Sequence, residues 1–280
     1  MCRVQLKELL LTPTLYAFLC LLFVYFHHLN ADARRLQAIT GQSLNAWGYT
    51  AGVCSNYLYS FVFGLGCIAL FSDLPLIREN ALFESSRCSR NVWIGGRILY
   101  VLCVSAMYTL IMLVLCMLTS RGSLGFTAKW GKLLNTLANG YQFDDVNLPA
   151  VMRLSYMNAF TPVQAVCVVA AMCFGAASVI GLTILCLSLC VGRVPALLGG
   201  SLIAVLDFVI YEKLPYSFYR VSPLSFMRLE IVVNPDMPYY PTLPQAALTV
   251  TGMVLVGMAL SVAVSHRSKA VTQLMLKEQY

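Results

Sequence analysis

Apolar residues in this chain fall in long unbroken runs. They do not form the narrow stripes of period 2 or 3.6 that mark half-buried strands and amphipathic helices. The runs are Leu9–His28, Val53–Phe71, Ile98–Leu118, Val163–Cys190, Ala196–Tyr211 and Ala246–Val264. A helix rises about 1.5 Å per residue and a hydrocarbon core is about 30 Å thick, so runs of about 20 residues reach across a bilayer. The pattern therefore predicts an all-α integral membrane protein of about six transmembrane helices, because inside lipid every backbone N–H and C=O must be bonded within the segment itself. Between the runs lie a loop carrying Arg34, Arg35 and Trp47, polar segments at 72–97, 119–162 and 212–245, and a very short turn at Val191–Pro195.

Composition sharpens the class. Of 280 residues, 59% are hydrophobic and 11% charged, where a soluble domain carries about 25% charge. Residues 1–280 read as a single transmembrane domain. The net charge of +7 comes with no basic run interleaved with aromatics, which argues against a nucleic-acid partner and leaves the lipid bilayer as the expected one. Eight cysteines (Cys20, Cys67, Cys103, Cys116, Cys167, Cys173, Cys186, Cys190) fall in apolar runs, Cys54 at a run's edge, and Cys2 and Cys88 in polar segments. With no CxxC pair of zinc type, they read as small buried hydrophobes.

Placing both termini in the cytoplasm puts ten Lys or Arg residues inside and nine outside. The inner ones crowd short segments, and those segments set topology; long loops translocate largely regardless of charge. Both termini are therefore expected to be cytoplasmic, with 119–162 and 212–245 as external loops. The first run has a basic start and ends near Ala31-Asp32-Ala33, like a cleavable signal. Its apolar core is longer than a signal core of about 7–15 residues, so it reads as a retained span.

Catalytic signatures are missing. No GxxxxGK[ST] phosphate loop, HExxH zinc motif or GxSxG nucleophile elbow occurs, so no ATPase or other catalytic residue is assigned and no cofactor or metal is expected on this chain. His27 and His28 are adjacent and point about 100° apart on a helix, a poor zinc pair; they mark the outer end of the first span. Asp207, in SLIAVLDFVIY, is the exception in nearly charge-free spans. An ionisable group in a span is a functional candidate because burying it is costly. The plainer expectation places it near the outer end of its span, within reach of water or Lys213, with Asp207→Asn altering function little. Small residues, among them Gly175, Gly181, Gly199, Gly200, Gly252 and Gly257, allow close helix approach. They fit packing within one chain, a dimer seam or a substrate path.

The segment 72–97 mixes Asp73, Arg78, Glu79, Glu84, Arg87, Arg90 and Arg97 with apolar residues. Ser72 or Asp73 can cap a helix, Pro75 suits its first turn, and the acids lie early and the bases late, as the helix dipole favours. A short amphipathic helix along the cytoplasmic face follows, with Trp93 and Arg97 anchoring the next span at the headgroups. A loop that only sets topology needs no acids, so the mixed charge suits docking of a protein.

Three stretches carry a family resemblance. SDLPLIREN followed by RCSRNVWIGGRILY, then AKWGKLL (Ala128–Leu134), then RVSPLSFMRLE with YYPTLPQA, together resemble bacterial ABC-2-type transporter permeases of Clostridia-like Gram-positives. None of these stretches is a catalytic motif. The resemblance implies a type V exporter-like bundle in the bacterial cytoplasmic membrane and a homodimer or related-permease heterodimer. It implies ATP and Mg on a separate P-loop ABC ATPase subunit. Under it, Asp73, Arg78, Glu79, Glu84, Arg87 and Arg90 become the coupling segment that seats in that subunit, and 212–245 holds short external re-entrant helices. The alternatives left by the residues alone are a non-transporting membrane scaffold or sensor subunit, and a gradient-driven carrier with Asp207 as its best argument.

Overall fold

The computed structural model describes residues 13–72, 74, 89–120, 124–141, 148–234 and 238–267. Among these the chain is helical, with one parallel pairing of two residues per strand. The long helices are α1 (Pro13–Leu29), α4 (Tyr57–Phe71), α5 (Arg90–Thr119), α8 (Pro162–Cys190), α9 (Arg193–Glu212) and α11 (Leu243–Arg267). Shorter elements join them: α2 (Ala31–Thr40), β1 (Leu44–Asn45), α3 (Ala46–Cys54), β2 (Leu124–Gly125), α6 (Lys132–Ala138), α7 (Leu154–Ala159) and α10 (Leu229–Val232). Two 3₁₀ turns, Tyr216–Arg220 and Ser225–Met227, precede α10. Among the described residues five helical stretches are long and apolar enough to cross a membrane, six when α3 and α4 are taken as one bent span.

Helix α8 is the hub, packed against α3, α4, α5, α9 and α11. Glycines let its neighbours close in. A Cβ on Gly175 would stand 2.2 Å from Val250 Cγ1 of α11, and one on Gly200 of α9 would stand 2.8 Å from Ile184 Cδ1. These contacts are helix–helix approaches within one chain, which decides among the readings left open for those two residues. Gly252, by contrast, faces open space.

Helix formation carries on past the first apolar run. A loop was expected at Arg34 and Arg35, yet both lie on α2. Asn30 N bonds Phe26 O at 3.0 Å and Arg34 N bonds Asn30 O at 3.4 Å, so the turn between α1 and α2 stays nearly helical. Gly41 at φ 64° closes α2, its N–H returning to Gln37 O. Buried Asn30 fixes the junction to α5. Its Nδ2 donates to Thr119 Oγ1 at 2.7 Å and Cys116 O at 3.2 Å, and its Oδ1 accepts from Tyr49 OH at 2.7 Å. A buried side-chain amide with both ends used avoids the cost of an orphaned polar group.

The second run, expected as one span over 53–71, is broken instead. Helices α3 and α4 meet at 75° across Ser55 and Asn56. Polar side chains make the break: Asn56 Oδ1 caps α4 by accepting from Leu58 N at 2.9 Å, while its Nδ2 donates to Pro149 O at 2.9 Å. Hydropathy averaged along the run does not register two such residues, because their effect is local capping.

Helix α5 also starts earlier than the expected Ile98, at Arg90. Of nine described cysteines, all free, Cys54, Cys67, Cys116 and Cys173 are buried, while Cys20, Cys103, Cys167 and Cys190 face outward. The reading of the cysteines as buried hydrophobes thus holds for the first group and fails for the second. In an apolar run a small thiol is tolerated on either face.

Candidate functional site

Two places combine polar chemistry with strategic position, one at each end of the bundle. The first is the pair of stems flanking segment 73–88. Asp73, Arg78, Glu79, Glu84 and Arg87 lie outside the described residues. On the near side, Ser72 O accepts from Arg193 Nε at 3.0 Å, tying the end of α4 to the start of α9. On the far side, Arg90 Nη1 donates to His266 O at 3.2 Å, and Asn91 Oδ1 lies 2.8 Å from His266 Nε2. The start of α5 is thereby held to the last turn of α11.

Trp93 and Arg97 follow one turn on. Their expected place was at the headgroups, but both are buried in the protein, with the guanidinium of Arg97 over the Trp93 ring at 5.3 Å from its centroid. One turn of helix puts residues i and i+4 on a shared face, and that face points inward here. A guanidinium stacked on an indole is part-satisfied without water, which allows the burial.

The second place is the far end of α9. Asp207 was expected beside water or Lys213. The structure buries it instead, against Arg228 and Ser225. Arg228 Nη2 lies 3.1 Å from Asp207 Oδ1, and Ser225 Oγ donates to the same oxygen. Asp207 and Arg228 are each 1% exposed. The guanidinium also faces the rings of Tyr219 and Tyr211, at 5.0 and 5.7 Å.

The segment carrying Arg228 folds back into the bundle. Phe226, Met227, Leu229 and Ile231 are all buried around it. Leu229 N donates to Ser55 Oγ at 3.2 Å, so the fold-back also meets the break between α3 and α4. Beyond it Glu230 faces Arg153 at 3.8 Å. Burial raises the Glu230 carboxyl above its ordinary value, with Arg228 and Arg153 pulling the other way.

Sequence reasoning singled out Asp207 but missed its partner. Arg228 sits in a Pro- and Tyr-rich stretch that reads as an exposed loop. The only signal was the apolar cluster Phe226-Met227 beside Leu229 and Ile231, which a solvated loop would not need.

Among the described residues no cluster of His, Cys, Asp or Glu could hold a metal ion. No family model, curated protein or solved structure matches the chain. The geometry offers mechanical linkage: two clasps at one end, a buried ion pair at the other, and helix α9 running between them from Arg193 to Asp207.

Proposed function

We propose that the chain is the membrane-spanning permease subunit of an ATP-driven exporter of the ABC-2 kind. Under this reading it lies in the bacterial cytoplasmic membrane with both termini inside. A separate P-loop ATPase binds ATP and Mg, and a second permease copy or a related permease completes the transporter. The sequence resemblance motivates the reading. The observation that carries it is the clasping of both stems of segment 73–88: one stem is bonded to the start of α9 through Arg193, the other to the end of α11 through Arg90 and Asn91.

A force applied to that segment reaches two spans at once. In the chain those two spans flank the segment that holds Arg228 against Asp207, and α9 carries Asp207 itself. ATP-driven closure of the partner subunits then biases a two-state bundle, and the bias arises from binding on another chain. Asp207, the best argument for a gradient-driven carrier, is already engaged by Arg228 and Ser225, which weighs against that alternative.

The test is mild-detergent purification of the tagged chain from its host, with identification of what accompanies it. The reading expects a stoichiometric P-loop ATPase, lost on charge reversal of Glu79 and Arg87 while membrane insertion is kept. It further expects that Arg90→Ala with Asn91→Ala keeps the ATPase bound but lowers transport per ATP hydrolysed. A preparation free of any ATPase, under conditions that preserve a known transporter complex, would reject the reading.

A further inference from the structure

At the end of the bundle remote from Ser72 and His266, an open cleft of about 620 Å³ lies between α6, α7 and the first turn of α8. Its size is within the range of small-ligand sites, about 300–1,000 Å³. Trp130, Met157 and Phe160 supply an apolar wall, and Lys129, Lys132 and Asn158 supply donors. Among the described residues no carboxylate lines it, and neither lysine has an acidic partner there.

The cleft is held in shape before any ligand arrives. Trp130 Nε1 donates to Phe160 O at 2.9 Å, bracing the two walls. Asn45 Nδ2 donates to Lys129 O at 2.6 Å and to Thr127 O at 2.7 Å, so the backbone carrying Lys129 is fixed from the opposite strand. Gly131 at φ 82° makes the turn that places Lys129 and Lys132 on the same cleft; a side chain there would be strained.

Position identifies the ligand class. Pro162 begins α8, a helix of 29 residues, long and apolar enough to cross a membrane, so the cleft stands at one end of that crossing. Among the described residues the two lysines have no acidic partner, so at that level they can bond phosphate oxygens. A soluble anion would satisfy the lysines but leave Ala128, Ala159 and the half-buried Phe160 of the lining without a partner.

We propose that this cleft binds the headgroup of an anionic phospholipid, with Lys129 and Lys132 on the phosphate and the apolar wall against the glycerol and first methylenes. The site is independent of the transport reading and needs no ATPase.

Delipidated chain in detergent, titrated with phosphatidylglycerol or with phosphatidylcholine of the same acyl chains and read by native mass spectrometry, tests this. The expected result is retention of phosphatidylglycerol about ten-fold over phosphatidylcholine, an interaction screened by salt. Lys129→Gln with Lys132→Gln should abolish that preference, and Lys213→Gln, outside the cleft, should keep it. The lysines are exposed, so the double variant should elute and unfold as the parent does; should it not, each single variant is expected to lower the preference by itself. Equal retention of the two lipids, or an unchanged preference in the double and both single variants, would overturn the proposal. Displacement of the bound lipid by millimolar inorganic phosphate would assign the lysines to a soluble anion and overturn it as well.

Discussion

Arg228 and Asp207 form a 3.1 Å ion pair although they lie on different elements and neither side chain reaches solvent. Each charge is tolerated only because the other is there. Breaking a buried pair from one side leaves an uncompensated charge and costs about 3–5 kcal/mol, while replacing both partners by apolar residues is often near neutral.

Arg228→Met and Asp207→Leu should therefore each lower thermal stability in detergent sharply, and the double variant should recover most of the loss. Asp207→Asn, nearly silent on the sequence reading, should behave like the single variants, since Arg228 keeps its charge. Single variants within about 0.5 kcal/mol of the parent, the range of ordinary surface changes, would contradict the burial described.

Glu230 gives the fold-back a pH dependence. Its carboxyl is raised from an ordinary value of 4.5, first by burial and then by Asp207, against Arg228 and Arg153. The folded chain thus holds a proton that the unfolded chain releases sooner. Stability from this group is full below about 4.5 and is lost as pH rises towards the raised value, with a slope of at most about 1.4 kcal/mol per pH unit. Glu230→Gln should flatten that slope in denaturation curves taken across the acid range. An unchanged slope would place the proton elsewhere.

Close approach of α8 and α11 rests on Gly175. A methyl there would stand 2.2 Å from Val250 Cγ1, so Gly175→Ala should cost about 1–3 kcal/mol as overpacking. Val250→Ala removes the opposing methyl groups and should restore much of the loss when combined with it. Gly252→Ala, facing open space, should be neutral in the same melting assay. Rescue is the informative outcome, since non-additivity reports contact.

Orientation can be read from single cysteines. Cys190 is exposed where α8 ends, and Lys213 follows the opposite end of α9. In a background lacking other cysteines, a membrane-impermeant maleimide should reach Cys190 only in inverted vesicles and Lys213→Cys only in intact cells. The reverse pattern would place the termini outside.

How much of this was legible in the sequence differs from element to element. The fourth and sixth apolar runs show plainly, because they form the cores of α8 and α11, helices of 29 and 25 residues, and length alone decides. The break at Ser55 and Asn56 did not show, since Asn56 redirects the helix by accepting from Leu58 N and donating to Pro149 O, and Ser55 accepts from the distant Leu229 N, partners that only folding supplies. Helix α2 was missed because Arg34 and Arg35 read as a solvated loop, whereas Arg34 bonds Thr119 O and His27 O. The candidate site was half legible. Asp207 stands out by its cost, but which distant cation offsets that cost depends on tertiary contacts, and Arg228 lies 21 residues away. Trp93 and Arg97 were assigned by type to an interface, and their inward face is set by the rotation of α5.

The bend between α3 and α4 has a consequence for the surrounding lipid. Helix α4 has 15 residues, a length of about 22 Å, against about 30 Å of hydrocarbon. Helix α3 cannot make up the difference, because it turns away by 75°. Leu58 and Leu65 of α4 remain exposed on its outer face, so acyl chains meeting that face must shorten or tilt to match it. Helix α5, with 30 residues and Leu99, Leu110 and Leu118 exposed along it, meets the full slab instead. A thickness gradient in the surrounding bilayer, thin beside α4 and full beside α5, is the expected consequence, and it would make membrane thickness a variable to which stability responds.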